Sequence, residues 1–254
     1  MITVEGLGKS FGDVRILEGI DAVFRKGSVN QIIGRSGSGK SVLAKCMVGL
    51  HRPEEGRVLY EGHSFHDMNA EEKRSIRQRI GMLFQGSALF DSLSVIENVM
   101  FPLRMFGAMG KEEMRERANT CLKRVRIIDK DHHFPAELSG GMQKRVGIAR
   151  AIAMNPEYLF CDEPNSGLDP QTAIVIDELI KELTEEFNTT TIVITHDMNS
   201  VMETGEHIIF IHKGRKWWEG TRDELLRSDN KELNEFVFAS SLMRQVKKAM
   251  IGGA

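Results

Sequence analysis

Apolar positions along this chain come in two alternating forms, short continuous runs and longer stretches of helical spacing. Residues 2–33 read as β-rich, with turn signals at Phe11-Gly12-Asp13 and Lys26-Gly27. The last run of that section, 28–33, stops at Gly34, and 41–50 then has helical spacing. Residues 57–62 read as a strand and turn, and 80–84 as a buried strand leading into Gln85. From about 93 to 135 the pattern is helical, with Glu112, Glu113, Arg115, Glu116 and Arg117 as a charged run. Ser139 is placed to cap a helix that turns Val146, Ile148, Ala149 and Ile152 inward. Residues 158–161 and 191–194 suit buried parallel strands, with an amphipathic helix over 171–187 between them. A strand pair near 208–211 and 216–219 turns at Lys213-Gly214, and helices follow. This alternation predicts an α/β fold.

Length adds that 254 residues can bury a substantial core with room for an inserted subdomain. The net charge of −2 gives no electrostatic case for nucleic acid. Cys46, Cys121 and Cys161 are few, odd in number and not in metal spacing, which predicts a reduced, cytosolic chain. No apolar stretch reaches the roughly 20 residues that span a bilayer, and the N-terminus lacks signal-peptide character. Any role at a membrane is therefore expected from the cytosolic side, through a partner. His63 with His66, and Asp131-His132-His133, lack a convergent further ligand and read as surface loops.

Three runs carry chemistry. Gly34-Arg35-Ser36-Gly37-Ser38-Gly39-Lys40-Ser41 fits the phosphate-loop pattern, two glycines bracketing four residues and then Lys-Ser. The glycines let backbone N–H groups converge on phosphate oxygens at a helix start. Lys40 can reach the β and γ phosphates, and the Ser41 hydroxyl suits Mg²⁺. Asp162-Glu163 closes an apolar strand, where Asp162 can hold Mg²⁺ or its water and Glu163 can polarise a water for in-line attack. Ser139-Gly140-Gly141, within Leu138-Ser139-Gly140-Gly141-Met142, offers a helix N-terminus without side-chain bulk, a receptor for a γ phosphate.

Together these runs resemble the ATPases of ABC systems over about residues 2–226. The resemblance implies a P-loop ATPase core with an N-terminal antiparallel β subdomain and a helical subdomain inserted at about 86–156, all within residues 1–228. Phe11 matches the aromatic position that stacks on adenine, where only a ring face is needed. Gln85 matches the glutamine that touches Mg²⁺ and the attacking water. Ser166-Gly167-Leu168-Asp169 matches the segment that crosses the dimer interface, and His196, in Ile194-Thr195-His196-Asp197, matches the histidine that contacts the γ phosphate. The implied catalytic set is Glu163, His196, Gln85 and Lys40, with Ser41, Gln85 and Asp162 on the metal. The implied assembly is a head-to-tail pair of copies sandwiching two ATP, at the cytoplasmic face of the cell membrane beneath permease subunits.

Subtype must come from the helical interval. Gly86-Ser87-Ala88-Leu89-Phe90-Asp91-Ser92-Leu93-Ser94-Val95 and Glu97-Asn98-Val99-Met100-Phe101-Pro102-Leu103 resemble the Mla/Mce-associated ATPases of lipid transport. The alternatives are a small-solute importer ATPase, distinguished only by this run, and a soluble ABC protein of translation or DNA repair. Permease helices are expected in a groove drawn from Leu89, Phe90, Val99, Phe101, Met105, Phe106 and Met109. Residues 229–254 read as a helical tail with Leu242, Val246 and Met250 on one face, docking on the core or on a second copy, with a place on the membrane surface as the second reading.

Overall fold

The computed structural model describes residues 1–107, 109–239, 243–245 and 247. The chain divides into two compact units, one formed by Met1–Phe24, Val29–Asp67 and the chain from Ile194 onward, the other by Arg25–Ser28 and Met68–Val193. Elements are numbered in chain order.

In the first unit, β1 (Ile2–Phe11) and β2 (Val14–Phe24) form a hairpin paired Ile2↔Phe24 and Phe11↔Val14. Its turn is made possible by Gly12, at φ 56. β4 (Glu55–Tyr60) lies antiparallel on the other side of β1, and β5 (His63–Ser64) completes a sheet of order β2-β1-β4-β5. β3 (Ser28–Ile33) runs parallel to β9 (His207–His212), with Asn30 opposite His207, and β10 (Arg215–Gly220) returns antiparallel to β9. α1 (Lys40–Met47) follows the glycine-rich run and ends short of the expected Leu50 because Gly49 takes a left-handed φ of 76.

α7 (Met198–Thr204), α8 (Arg222–Arg227) and α9 (Lys231–Val237) complete the unit. Val201, Leu225, Leu233 and Val237 bury one cluster with Ile33, Ile208 and Phe210. Alternation predicts one exposed tryptophan on β10. Trp217, at a register irregularity, is 43 % exposed, while Trp218 packs against that cluster. Of the tail, Lys247 donates to the Ser228 carbonyl at 2.9 Å and to Asn234 Oδ1 at 2.7 Å. The expected face of Leu242, Val246 and Met250 lies outside the described residues.

The second unit contains α2 (Ala70–Gln78), β6 (Ile80–Leu83), α3 (Val95–Phe106), α4 (Lys111–Arg124), α5 (Gly140–Ile152), β7 (Tyr158–Asp162), α6 (Pro170–Phe187) and all but the last two residues of β8 (Thr190–Thr195). Its strands run in the order β8-β7-β6, and β6 and β7 are parallel, with Ile80 opposite Tyr158 and Leu83 opposite Cys161. Every residue of β7 and β8 is buried, which is why both read as unbroken runs.

One expectation is corrected here, and one element was not expected. Residues 93–135 are not helical throughout, since α4 ends at Arg124 and the chain then turns through left-handed Arg126 and Asp129. That loop has work to do: the carbonyls of His133 and Asp131 accept the N–H groups of Val95 and Ile96 at 2.8 and 3.1 Å, satisfying the start of α3. α2 was not foreseen because its apolar content is low. Its signal was the capping box, in which Asn69 Oδ1 accepts from Glu72 N while Glu72 Oε2 accepts from Asn69 N.

Candidate active site

The glycine-rich run has a conformation that few sequences permit. Gly34 sits at φ 152, and a Cβ there would lie 2.3 Å from the Ile211 carbonyl oxygen. Gly39, the residue before α1, sits at φ 106 with Leu17 Cδ2 2.6 Å from where a Cβ would be, and Gly37 has φ 77. No side chain caps α1 and its first turn carries no acidic residue, so the positive end of the helix faces the loop. Lys40 is 6 % exposed and donates to the Gly34 and Arg35 carbonyls at 2.7 and 3.2 Å, folding its ammonium into the same loop. The Ser38 hydroxyl is buried with no hydrogen-bond partner. A buried polar group in that state costs about 1–3 kcal/mol, which an oxygen-rich ligand in the loop would offset. The cradle therefore suits phosphate, with Arg35, Ser36 and Gly37 exposed at its rim and Ser41 half-buried in the first turn of α1.

Two other expected residues belong to this unit. Phe11 is 46 % exposed at the tip of the β1–β2 hairpin, edge-on to His51 at 5.2 Å and with Lys9 Nζ 5.0 Å from its ring centroid. His196 follows β8 directly and is exposed. Its turn is pinned on the far side, where Asp197 N donates to Thr195 Oγ1 at 3.0 Å and Asp197 caps α7.

In the second unit, the remaining residues gather along one helix, α5. Gly141, Lys144, Gly147 and Arg150 follow one another at three-residue steps along α5, each next to its neighbour on the helix surface. At its start, Ser139 is the N-cap, accepting from Met142 N at 3.3 Å, and Ser139 and Gly140 are exposed. A Cβ on Gly141 would meet Thr172 Cγ2 at 2.5 Å, and one on Gly140 would meet Leu168 at 3.7 Å. The bare N-terminus thus abuts the turn holding Asp169. Asp169 caps α6, accepting from Thr172 N at 3.0 Å and Thr172 Oγ1 at 2.6 Å, and these bonds hold its carboxyl below the usual range.

One turn further, Lys144 is 4 % exposed and its Nζ donates to the Glu163 carbonyl at 3.3 Å. Burial lowers its pKa, opposed by the charges of Cys161, Asp162 and Glu163. Asp162 ends β7 and is 6 % exposed. Glu163 is half-buried with a left-handed φ of 50, a conformation that costs a residue with a Cβ about 1–2 kcal/mol. The Lys144 bond and a hydrogen bond from Ser166 N to the Glu163 carbonyl hold it there. Behind it, Asn165 Nδ2 donates to buried Asp177 at 2.8 Å. The acidic pair therefore stands at the mouth of a rigid strand with its backbone over-determined.

Gln85 is exposed, two residues past the end of β6, and the chain after it packs against α5 at Gly147 and Arg150. A groove of about 410 Å³ lies beside it, lined by Phe84, Phe90, Phe101, Phe106 and Arg150 among others. Of the groove residues expected from sequence, Phe90, Phe101 and Phe106 line it, whereas Val99 is fully buried core. Lys144, Asn98 and Arg150 were missed, because a polar residue inside an apolar helix pattern does not announce what it bonds.

A sequence profile of the family described as ABC transporter matches residues 17–166. The chain is 36 % identical over 236 residues to the probable ribonucleotide transport ATP-binding protein mkl of Mycobacterium leprae, covering 93 % of this chain and 68 % of that one. It is 39 % identical over 239 residues to the glutamine transport ATP-binding protein GlnQ of Escherichia coli K12, covering 93 % of this chain and 98 % of GlnQ. Among solved structures, the dimeric ABC transporter cassette MJ0796 matches with a TM-score of 0.80 at 36 % identity, over 87 % of this chain and 98 % of that one. The protein cbiO1 of Clostridium perfringens, part of the ABC transporter complex cbiONQ, matches with a TM-score of 0.82 at 30 % identity over 98 % of both chains. With the phosphate cradle, the acidic strand end and the bare α5 terminus all present, the chain belongs to the ABC transporter family, as one of its ATP-binding proteins.

Proposed function

We propose that this chain is the ATP-hydrolysing subunit of a transporter that moves phospholipid or another lipid, working as a head-to-tail pair at the cytoplasmic face of the cell membrane. The observation that carries the ATPase reading is the Gly34–Ser41 cradle, where a buried unpartnered Ser38 hydroxyl and the Lys40 ammonium converge at the uncapped end of α1. In this reading Lys40 holds the β and γ phosphates and Phe11 stacks on adenine. The hydroxyl, amide and carboxylate oxygens of Ser41, Gln85 and Asp162 are hard donors suited to Mg²⁺, which when bound neutralises phosphate charge. Glu163 polarises the attacking water and His196 contacts the γ phosphate. Ser139, Gly140 and Gly141 of a second copy close over that phosphate, with Asp169 beside them at the pair's interface. Dimeric MJ0796 cassettes, one of them in a post-hydrolysis state with ADP and Pi, support the paired arrangement.

The lipid assignment rests on residues 86–103. A small-solute importer is the second reading, favoured by the 39 % identity to a glutamine transport protein and 38 % identity to the methionine import protein MetN 1 of Oceanobacillus iheyensis. Affinity capture from native membranes separates them through the co-purified permease and the solute or lipid whose transfer depends on ATP. Recovery of ribosomes or DNA in place of a permease would overturn the transport reading. For the chemistry, Glu163→Gln is expected to bind ATP at wild-type affinity, lower kcat by about 10²-fold or more and accumulate as a nucleotide-bound dimer. Wild-type steady-state turnover in that variant would remove Glu163 from its role.

A further inference from the structure

The loop after Gln85 takes an unusual course. Gly86, Ser87 and Ala88 have φ values of 75, 67 and 44, three successive left-handed residues of which only the first is glycine. Such a run persists only where surrounding contacts over-determine it. Ser87 is 2 % exposed and is pressed against α5 at Gly147, where a Cβ would stand 3.4 Å from Ser87 Cβ and 2.7 Å from Leu83 Cδ1. One helical turn on, Arg150 Nη2 donates to the Ser87 carbonyl at 2.7 Å and Nη1 to the Ala88 carbonyl at 2.8 Å. The two arms of one planar guanidinium thus span consecutive carbonyls, a geometry that lysine cannot reproduce. The same guanidinium lies 5.9 Å from the ring centroid of Phe90 on the groove wall.

We propose that Arg150 is the positioning residue of Gln85: its guanidinium clamps the left-handed Ser87-Ala88 turn onto α5, so that the glutamine is aimed from the helix that carries Ser139-Gly140-Gly141 at its other end. This rests on the role proposed above for Gln85. Arg150 touches neither nucleotide nor metal in this scheme. Its effect passes through the backbone of residues 86–88, and the small residue at 147 is what lets that backbone approach. A contact to Phe90 in the groove reaches Gln85 by the same clamp.

The test uses the full chain and two readouts. In Arg150→Met the amide of Ser87, which donates to the Phe84 carbonyl at 2.9 Å, is expected to exchange with solvent about tenfold faster by NMR. The Phe90 amide, held separately by Asn98 Oδ1 at 2.8 Å, is expected to be unchanged. The kcat for ATP is expected to fall about 10- to 100-fold with the KM for ATP unchanged, the scale of a catalytic group displaced by about 1 Å. In a Gln85→Ala background the same substitution is expected to lower kcat less than about twofold further.

Unchanged Ser87 exchange, or an Arg150 effect that multiplies fully with Gln85→Ala, would overturn the proposal. A Gln85→Ala chain with wild-type kcat would instead overturn the role of Gln85, and Ser87 exchange would still test the clamp. Should Arg150→Met not fold, Arg150→Lys keeps the charge without the fork and is expected to raise Ser87 exchange several-fold. Wild-type exchange and kcat in that variant would equally refute the clamp.

Discussion

Asn98 is completely buried in the first half of α3, and its amide is fully engaged. Its Oδ1 accepts from Phe90 N at 2.8 Å, and its Nδ2 lies 3.1, 3.0 and 3.1 Å from the carbonyls of Phe90, Leu93 and Ser94. Two N–H groups shared among three carbonyls, plus one acceptor, amount to three hydrogen bonds. At about 0.5–1.5 kcal/mol net for each, Asn98→Ala is expected to cost about 1.5–4.5 kcal/mol. Asn98→Asp keeps the acceptor for Phe90 N but turns an oxygen toward three carbonyls, so it is expected to cost more than alanine. Equilibrium urea unfolding followed by far-UV circular dichroism measures both, at unchanged m-value. A cost below about 1 kcal/mol for alanine, or an aspartate variant milder than the alanine one, would refute this account of the loop.

Two further outcomes follow from buried groups. Ser38→Ala removes the unpartnered hydroxyl, so the ligand-free chain is expected to be equally or up to about 1 kcal/mol more stable, while affinity for a fluorescent ATP analogue falls; a clear loss of ligand-free stability would contradict it. Cys46, Cys121 and Cys161 are all buried, and burial pushes Cys46 up to about 11 and Cys161 up to about 12. No thiol is expected to react with an aromatic disulfide reagent near pH 8 until denaturant exposes them. Unfolded thiols ionise near 9.0, so between there and about 11 the unfolded state binds fewer protons than the folded one and stability falls as pH rises. The slope is about 1.4 kcal/mol per pH unit for each such thiol, and a urea midpoint unchanged from pH 8 to 10 would refute it.

The run after Gln85 bears two meanings. Part of its pattern has a local structural cause: Ser94 and Glu97 form a capping box at the start of α3, and Asn98 clasps Phe90. Those positions answer to the loop rather than to a transported molecule. Phe90, Phe101 and Phe106, by contrast, line an open groove, and any information about a membrane partner in this stretch belongs to them.

Local structure was legible from sequence alone. The conformation of the glycine-rich loop, the acidic strand end, the Ser139 cap and the buried β7 and β8 each have a cause confined to a few adjacent residues, such as glycine where φ is positive or an unbroken apolar run where both faces are covered. Even α2 was readable in principle, through Asn69 and Glu72. Pairings between distant residues were not legible, because periodicity reports which way a side chain points and not what waits there. Lys144 reaching the Glu163 carbonyl, Asn98 clasping Phe90 and Arg150 bridging Ser87 and Ala88 join residues 19, 8 and 63 positions apart. A buried polar residue must find a partner, but only the folded chain decides which one.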